Sequence, residues 1–421
     1  MRDEIKGIRP PSNPAAIKDA LDDIARIRGR PLVYPFIGSG RGRGALVELA
    51  DGSVKWDWIT SIGTHFFGHG DPEMTRAVLT VASADVPIQG HLQPNGEYVE
   101  FLRAVSSIAP GRCKHVWPSM SGTMANENAL KIIRQRHAPA FRVLAFENAF
   151  AGRSALMSEI SGSAANKKGQ PDMGQAHPVP FYDPADASSV DRTVAAMDDA
   201  FKKHPGEFCA MHVELVQGEG GFRDAPREFF QAVFERCRRE RVAVWVDEIQ
   251  TFGRIGEYFM LTRLGLEEWA DVVTIGKMLC GSAVLFSSEY NPDPGLVSGT
   301  FAGYTAGLAL GAHVIRRLRA DGLIGLQGKI RALERAVSER LQVWKSDRLI
   351  RDYTAVGAMA AFTPIEPDLD SIRSMVRKIF DAGVCVYYTG HGPYRIRVLL
   401  PGGCMSTDEL KEGFDIMERC L

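Results

Sequence analysis

From about residue 75 to about residue 320, short apolar runs (FRVLAF, CAMHVELV, VAVWV, DVVTI and AVLF) alternate with stretches whose apolar residues recur at helical spacing. Runs this short and this continuously apolar are strands buried on both faces. Helices between them carry the chain back, so that neighbouring strands lie parallel. The alternation predicts an α/β fold, a mostly parallel sheet sandwiched by helices, over residues 61–322. The chain has 421 residues, enough for a second, smaller core. Residues 1–60 read as an N-terminal arm and part of that smaller domain. They hold a short helix near Ala16–Ile27 and a hairpin in ALVELADGSVKWDWI, where Asp51-Gly52 separates two alternating runs. Residues 323–421 read as helix (IRALERAVSERLQVW), strand (AVGAMAAF), helix (SIRSMVRKIFDAG) and two strands (VCVYY and YRIRVLL), a smaller α+β domain.

Charge excludes one class of partner. The formal net charge is −1, so no cationic excess exists to bind a phosphate backbone, and nucleic acid is not expected. The seven cysteines show no CxxC spacing, which argues for free thiols in a reducing compartment. No apolar run reaches the ~20 residues of a membrane span, and the first twenty residues lack the apolar stretch of a signal peptide. A cytoplasmic protein without a membrane partner is the expectation. Two motifs are decoys. GSGRGRG at 38–44 follows no clear strand and opens no helix, so it lacks the context of a nucleotide loop and reads as a flexible or hairpin-approach segment. His65 and His69 are four apart but lie in a Gly-rich turn with no third ligand evident, so no metal is expected. No G-x-S-x-G elbow is present.

In open α/β sheets ligands bind beyond the carboxyl ends of the strands, so the residues just after each apolar run carry the argument. VAVWV ends in Asp247, and DVVTI is followed by Gly276-Lys277. A buried acid is costly unless compensated, and a buried ion pair seldom adds net stability. A chemical role accounts better for both. A desolvated lysine has a lowered pKa and attacks aldehydes, and an acid facing a cationic ring nitrogen keeps that ring protonated. After RCKHVWPS comes SGTMANENALKII, where Ser121 can cap a helix and Gly122 lets the backbone approach a ligand. A helix N-terminus is a phosphate site, although an ordinary capped helix is the competing reading. Lysine, acid and phosphate site together describe pyridoxal 5'-phosphate.

These motifs resemble the class III (ω-type) aminotransferases, pyridoxal-phosphate enzymes of fold type I. The likeness runs nearly the whole chain and in order: SGTMANENALK, FAGRS, VELVQGEGG, VDEIQTFGRIG, TIGKMLCGS, GTFAG and RIRV. The resemblance implies a role for each residue. Lys277 binds the cofactor aldehyde and later moves the proton between Cα and C4′. Asp247 holds the pyridinium nitrogen. Ile249 and Phe150 cover the two ring faces, and Gln250 binds the ring hydroxyl. Gly122 and Thr123 bind phosphate, as does Thr300 from the partner subunit of a homodimer. Arg397 binds the α-carboxylate of glutamate or 2-oxoglutarate. Arg153 takes the other carboxylate, with Glu219 as the switch that pairs with it when the donor lacks an acid there. The implied reaction is a ping-pong transfer from an amino donor, an ω-amino acid such as lysine, ornithine, acetylornithine or 4-aminobutyrate, to a 2-oxo acid acceptor, 2-oxoglutarate. The pattern leans to the lysine 6-aminotransferase and ornithine aminotransferase branch.

The chain departs from the family pattern at Met124, Ala151, Leu215, Tyr304 and Thr305, and the turn TFGRIG is one residue short. Most of these changes flank the substrate side or the interface, so they bear on the substrate more than on the cofactor. An aminomutase, racemase or decarboxylase on the same fold, or a non-catalytic binding protein, are the alternatives.

Overall fold

The computed structural model describes residues 5–83 and 91–421. The chain divides into two compact units. One is continuous, Ala77–Asp321. The other joins the two ends, Met1–Arg76 with Gly322–Leu421.

The continuous unit is built on seven strands: β1 (His115–Ser119), β2 (Arg142–Phe146), β3 (Ala176–Val179), β4 (Phe208–Val213), β5 (Ala243–Asp247), β6 (Val272–Ile275) and β7 (Ser282–Phe286). Their spatial order is β1-β7-β6-β5-β4-β2-β3. Each of the five apolar runs forms one of these strands. All neighbours are parallel except β7, which runs antiparallel to both β6 and β1. The reason is connection length. Only residues 276–281 separate β6 from β7, too few for the crossover that a parallel pair requires.

Strand alternation decides which side chains share a face. Val143, Ala145, Ala210, Ala243, Trp245, Val272 and Val284 lie two apart along their strands or in register. They form one core cluster with Ala129, Leu130, Ile132 and Ile133 of the helix Gly122–His137. Continuing the same alternation to the strand ends gives His212, Asp247 and Thr274. The middle of the helix therefore covers apolar sheet, and its N-terminal part meets the polar ends. The helix starts cleanly because Ser121 is extended and its hydroxyl accepts the N–H of Met124, a cap contributing about 1 kcal/mol.

The unit made from the chain ends holds two four-stranded sheets. Leu46–Leu49 and Val54–Asp57 form the expected hairpin, with Gly52 at φ +81° in the turn. GSGRGRG differs from expectation: Gly38–Arg43 is an ordered strand paired antiparallel with Leu46–Leu49. It is exposed along nearly its whole length, so no apolar alternation marks it. VCVYY also differs. Val384–Cys385 adds parallel to Val54–Asp57, whereas Tyr387–Thr389 joins the antiparallel sheet of Ile350–Val356, Met359–Pro364 and Arg395–Leu399. His69 is held by a carboxylate, its Nε2 lying 2.8 Å from Asp57 Oδ2, with the His65 ring 4.9 Å away.

Candidate active site

The ends of β5 and β6 lie side by side, with Asp247 and Thr274 in register. Asp247 is 6% exposed, and its carboxylate is held by three N–H groups. Ile249 N donates to Oδ1 at 2.9 Å. Asn126 Nδ2 donates to Oδ2 at 2.7 Å, and His212 Nε2 lies 3.4 Å from the same oxygen. Asn126 is oriented in turn. Its amide also donates to the Ala151 carbonyl at 2.7 Å and accepts the Thr274 hydroxyl at 2.7 Å. A buried amide with these bonds has one orientation only.

Lys277 follows Gly276 at the end of β6 and donates through Nζ to Gln250 Oε1. It is half-buried and has φ +48°. A non-glycine residue in the left-handed region is strained, and such strain gathers at functional positions. The preceding residue must be small, because a Cβ on Gly276 would fall 2.6 Å from Ser282 Oγ. Ile249 packs between two glycines: a Cβ at Gly122 would sit 2.8 Å from its Cδ1, and one at Gly276 would sit 3.4 Å from its Cγ2. A Cβ on Gly152 would fall 2.6 Å from Thr123 Oγ1. FAGRS, the helix N-terminus, Ile249 and the lysine turn thus meet at one place. The N–H groups of Gly122 and Thr123 stand in the first helical turn, where no intrahelical acceptor exists.

Two more buried acids flank Asp247. Glu214 Oε1 accepts the N–H of Phe150 at 2.8 Å and Oε2 accepts that of Gly218 at 2.9 Å. Burial, and then the Asp247 charge, push its carboxyl up to about 8, against the pull of those two N–H groups and of Lys277. Glu248 accepts the N–H groups of Met260 and Leu261 at 3.0 and 2.9 Å and the Thr251 hydroxyl, which fastens the short turn after Gln250. Burial pushes it up to about 7. The Glu214 shift has a measurable consequence. The folded chain keeps a proton there that the unfolded chain releases near 4.5. The stability this contributes is full below that value and is lost as pH rises through about 8. The stability of cofactor-free wild type should therefore fall relative to Glu214→Gln by up to about 1.4 kcal/mol per pH unit between those limits. Denaturant unfolding at several pH values measures this, and parallel pH profiles for the two proteins would contradict it.

Phe150, Arg153, Glu219, Thr300 and Arg397 complete the nominated set. Phe150 is half-buried and enters through its backbone. Arg153 is exposed and, among the described residues, makes no ion pair, while Glu219 is half-buried. Thr300 is exposed in the turn before the helix Thr305–Ala320. Arg397 belongs to the other unit. It is 2% exposed on Arg395–Leu399, with its guanidinium 5.6 Å from the Tyr387 ring centre, so it is no solvated surface charge. Sequence reasoning missed Asn126, His212, Glu214 and Thr274. Asn126 stood within a quoted motif, but nothing in the sequence paired it with Asp247.

The residues fit pyridoxal phosphate. A strained lysine, a carboxylate steadied by protein donors and a helix N-terminus that opens on glycine converge. Among the described residues Gln250 Nε2, beside Lys277, is buried without a hydrogen-bond partner, which leaves it a donor for a bound group.

Comparison with known proteins agrees. The family profile "Aminotransferase class-III" matches residues 31–421. The 2-aminoadipate transaminase of Pseudomonas putida is 28% identical over 412 residues, covering 93% of this chain and 96% of that one. The probable 4-aminobutyrate aminotransferase of Bacillus subtilis is 30% identical over 409 residues, covering 90% and 92%. Among solved structures, lysine aminotransferase from M. tuberculosis superposes with a TM-score of 0.85 at 20% identity, covering 95% of this chain and 99% of that one. The chain belongs to the class III aminotransferases, and its fold is that of the fold type I pyridoxal-phosphate enzymes. It is a pyridoxal-phosphate-dependent aminotransferase.

Proposed function

We propose that this enzyme moves the terminal amino group of an ω-amino acid to 2-oxoglutarate by a ping-pong mechanism, working as a homodimer. The meeting of Lys277, Asp247, Gln250 and Gly122 at the carboxyl edge of the sheet carries this reading. A relative named for 4-aminobutyrate, whose amine is remote from its carboxylate, supports the donor class. Pyridoxal phosphate, when bound, supplies an aldehyde for amines and a protonated ring that draws electrons from the substrate carbon. The protein does the rest. Lys277 Nζ receives the proton from the carbon that bears the amine and returns it, and its bond to Gln250 aims it. Asp247, fixed by three donors, holds a proton on the ring nitrogen. Gln250 Nε2 binds the ring hydroxyl, and Ile249 and Phe150 confine the ring and keep water from its faces. The first-turn N–H groups of Gly122 and Thr123 neutralise phosphate charge, joined by the partner subunit's Thr300.

Arg397 binds the α-carboxylate of the acceptor, a task to which a buried guanidinium is suited. Arg153 takes the second carboxylate, and Glu219 pairs with Arg153 when the donor has none. The dimer reading draws support from Met120, Met124, Phe301 and Tyr304, large apolar side chains left exposed on the unit that carries Thr300. A donor panel assayed with 2-oxoglutarate and with pyruvate tests the reaction. We expect glutamate to form from at least one of lysine, ornithine, acetylornithine and 4-aminobutyrate, at least ~10-fold faster than alanine forms from pyruvate, because a bound second carboxylate contributes about 1.5–3 kcal/mol. No glutamate from any ω-amine would sink the proposal. In light scattering the enzyme should weigh twice the 46.2 kDa chain, and a monomer would overturn the dimer.

A further inference from the structure

His212 lies in the apolar strand β4, fully buried, with its ring edge-on to Trp245 at 4.7 Å. Its Nδ1 is buried without a hydrogen-bond partner among the described residues. A position like this is filled more cheaply by an aliphatic side chain, because an orphaned polar atom in a dry interior is destabilising. The other ring nitrogen shows what the cost secures. Nε2 lies 3.4 Å from Asp247 Oδ2, so the tautomer that suits the pair carries its hydrogen on Nε2. A carboxylate offers about four acceptor positions. Asn126 and His212 occupy both on Oδ2, and the Ile249 N–H takes one on Oδ1. One position on Oδ1 is left for a ligand. With Oδ2 doubly engaged, the carboxylate plane cannot turn without breaking a buried bond.

We propose that His212 is a positioning residue for transamination: through its Nε2–H it locks the Asp247 carboxylate so that a single Oδ1 lone pair meets the cofactor ring nitrogen. The proposal rests on the reading of Asp247 as the ring-nitrogen partner. His212 touches neither substrate nor cofactor, so its effect passes wholly through Asp247. The bond is long, so the effect is moderate. Its removal weakens the hold on the ring without dismantling the site.

The test compares His212→Leu, His212→Phe and His212→Gln with wild type in the cofactor-loaded enzyme. Phenylalanine keeps the packing against Trp245, and glutamine keeps an N–H donor. Leucine and phenylalanine should each lower kcat about five- to tenfold with the donor KM little changed, as the loss of one buried hydrogen bond does. They should weaken pyridoxal phosphate binding, followed by equilibrium dialysis, two- to tenfold as an approximate range, and should displace the absorbance band of the bound cofactor. Glutamine should restore most of each. In an Asp247→Asn background, His212→Leu should add nothing. A histidine kept only for packing would give wild-type cofactor affinity and spectrum in the phenylalanine variant, and that result overturns the proposal even if leucine fails to fold. The parent reading fails separately: if Asp247→Asn leaves the bound cofactor spectrum unchanged, Asp247 is not the ring partner.

Discussion

Lys277→Ala enzyme is expected to lose transamination by more than ~10³-fold, because the residue proposed to serve as both the covalent anchor and the proton carrier goes at one stroke. Its visible cofactor band should be absent or shifted to that of free pyridoxal phosphate. The fold should survive. Lys277 is half-buried in a short turn after β6, where its ammonium donates to Gln250. Alanine tolerates the left-handed backbone no worse than lysine does. Near-wild-type circular dichroism with no turnover is therefore the expected pair of results. Slow turnover restored by added primary amines would point to the same residue. An unchanged absorbance band would remove Lys277 from the chemistry.

The second large effect falls on Asp247. Asn at this position keeps the shape but removes the charge, and its NH₂ would oppose one of three donors: Ile249 N–H, Asn126 Nδ2 or His212 Nε2. Removing one member of a buried charge pair costs about 3–5 kcal/mol. This corresponds to a fall in kcat of roughly 10²- to 10⁴-fold. The loss should appear in kcat more than in donor KM, because a protonated ring matters most when charge develops on the substrate carbon. Activity within about threefold of wild type would mean that some other group holds the ring nitrogen.

Asp247 and Lys277 were legible in the sequence because each breaks a buried apolar run at its carboxyl end, and strand geometry then sets them side by side. The helix start at Gly122 was legible for a similar reason, since a capping serine and a glycine precede a helical period. Asn126 and His212 were not. Asn126 joins Asp247 only because the helix Gly122–His137 begins over that edge of the sheet, a fact of packing. His212 looked like one more core residue in CAMHVELV, and the register of β4 with β5 is what turns it toward the acid. Glu214 needed the folded backbone of Phe150 and Gly218 to gain its role. In the other unit, YRIRVLL alternates charged and apolar residues, yet every residue of Arg395–Leu399 is buried. The strand Gly38–Arg43 escaped notice because it exposes nearly all its residues and is held by backbone pairing to Leu46–Leu49. Hydrogen bonds between main chains leave no mark on composition.

The most direct test is to locate the bound cofactor. Borohydride reduction of the loaded enzyme adds hydride to the carbon–nitrogen double bond between cofactor and lysine and makes the link permanent. Proteolysis and mass spectrometry then identify the modified residue. The account predicts a phosphopyridoxyl group on the peptide containing Lys277 and on no other. The same label on a different lysine, or no label on an enzyme that turns over, would contradict it.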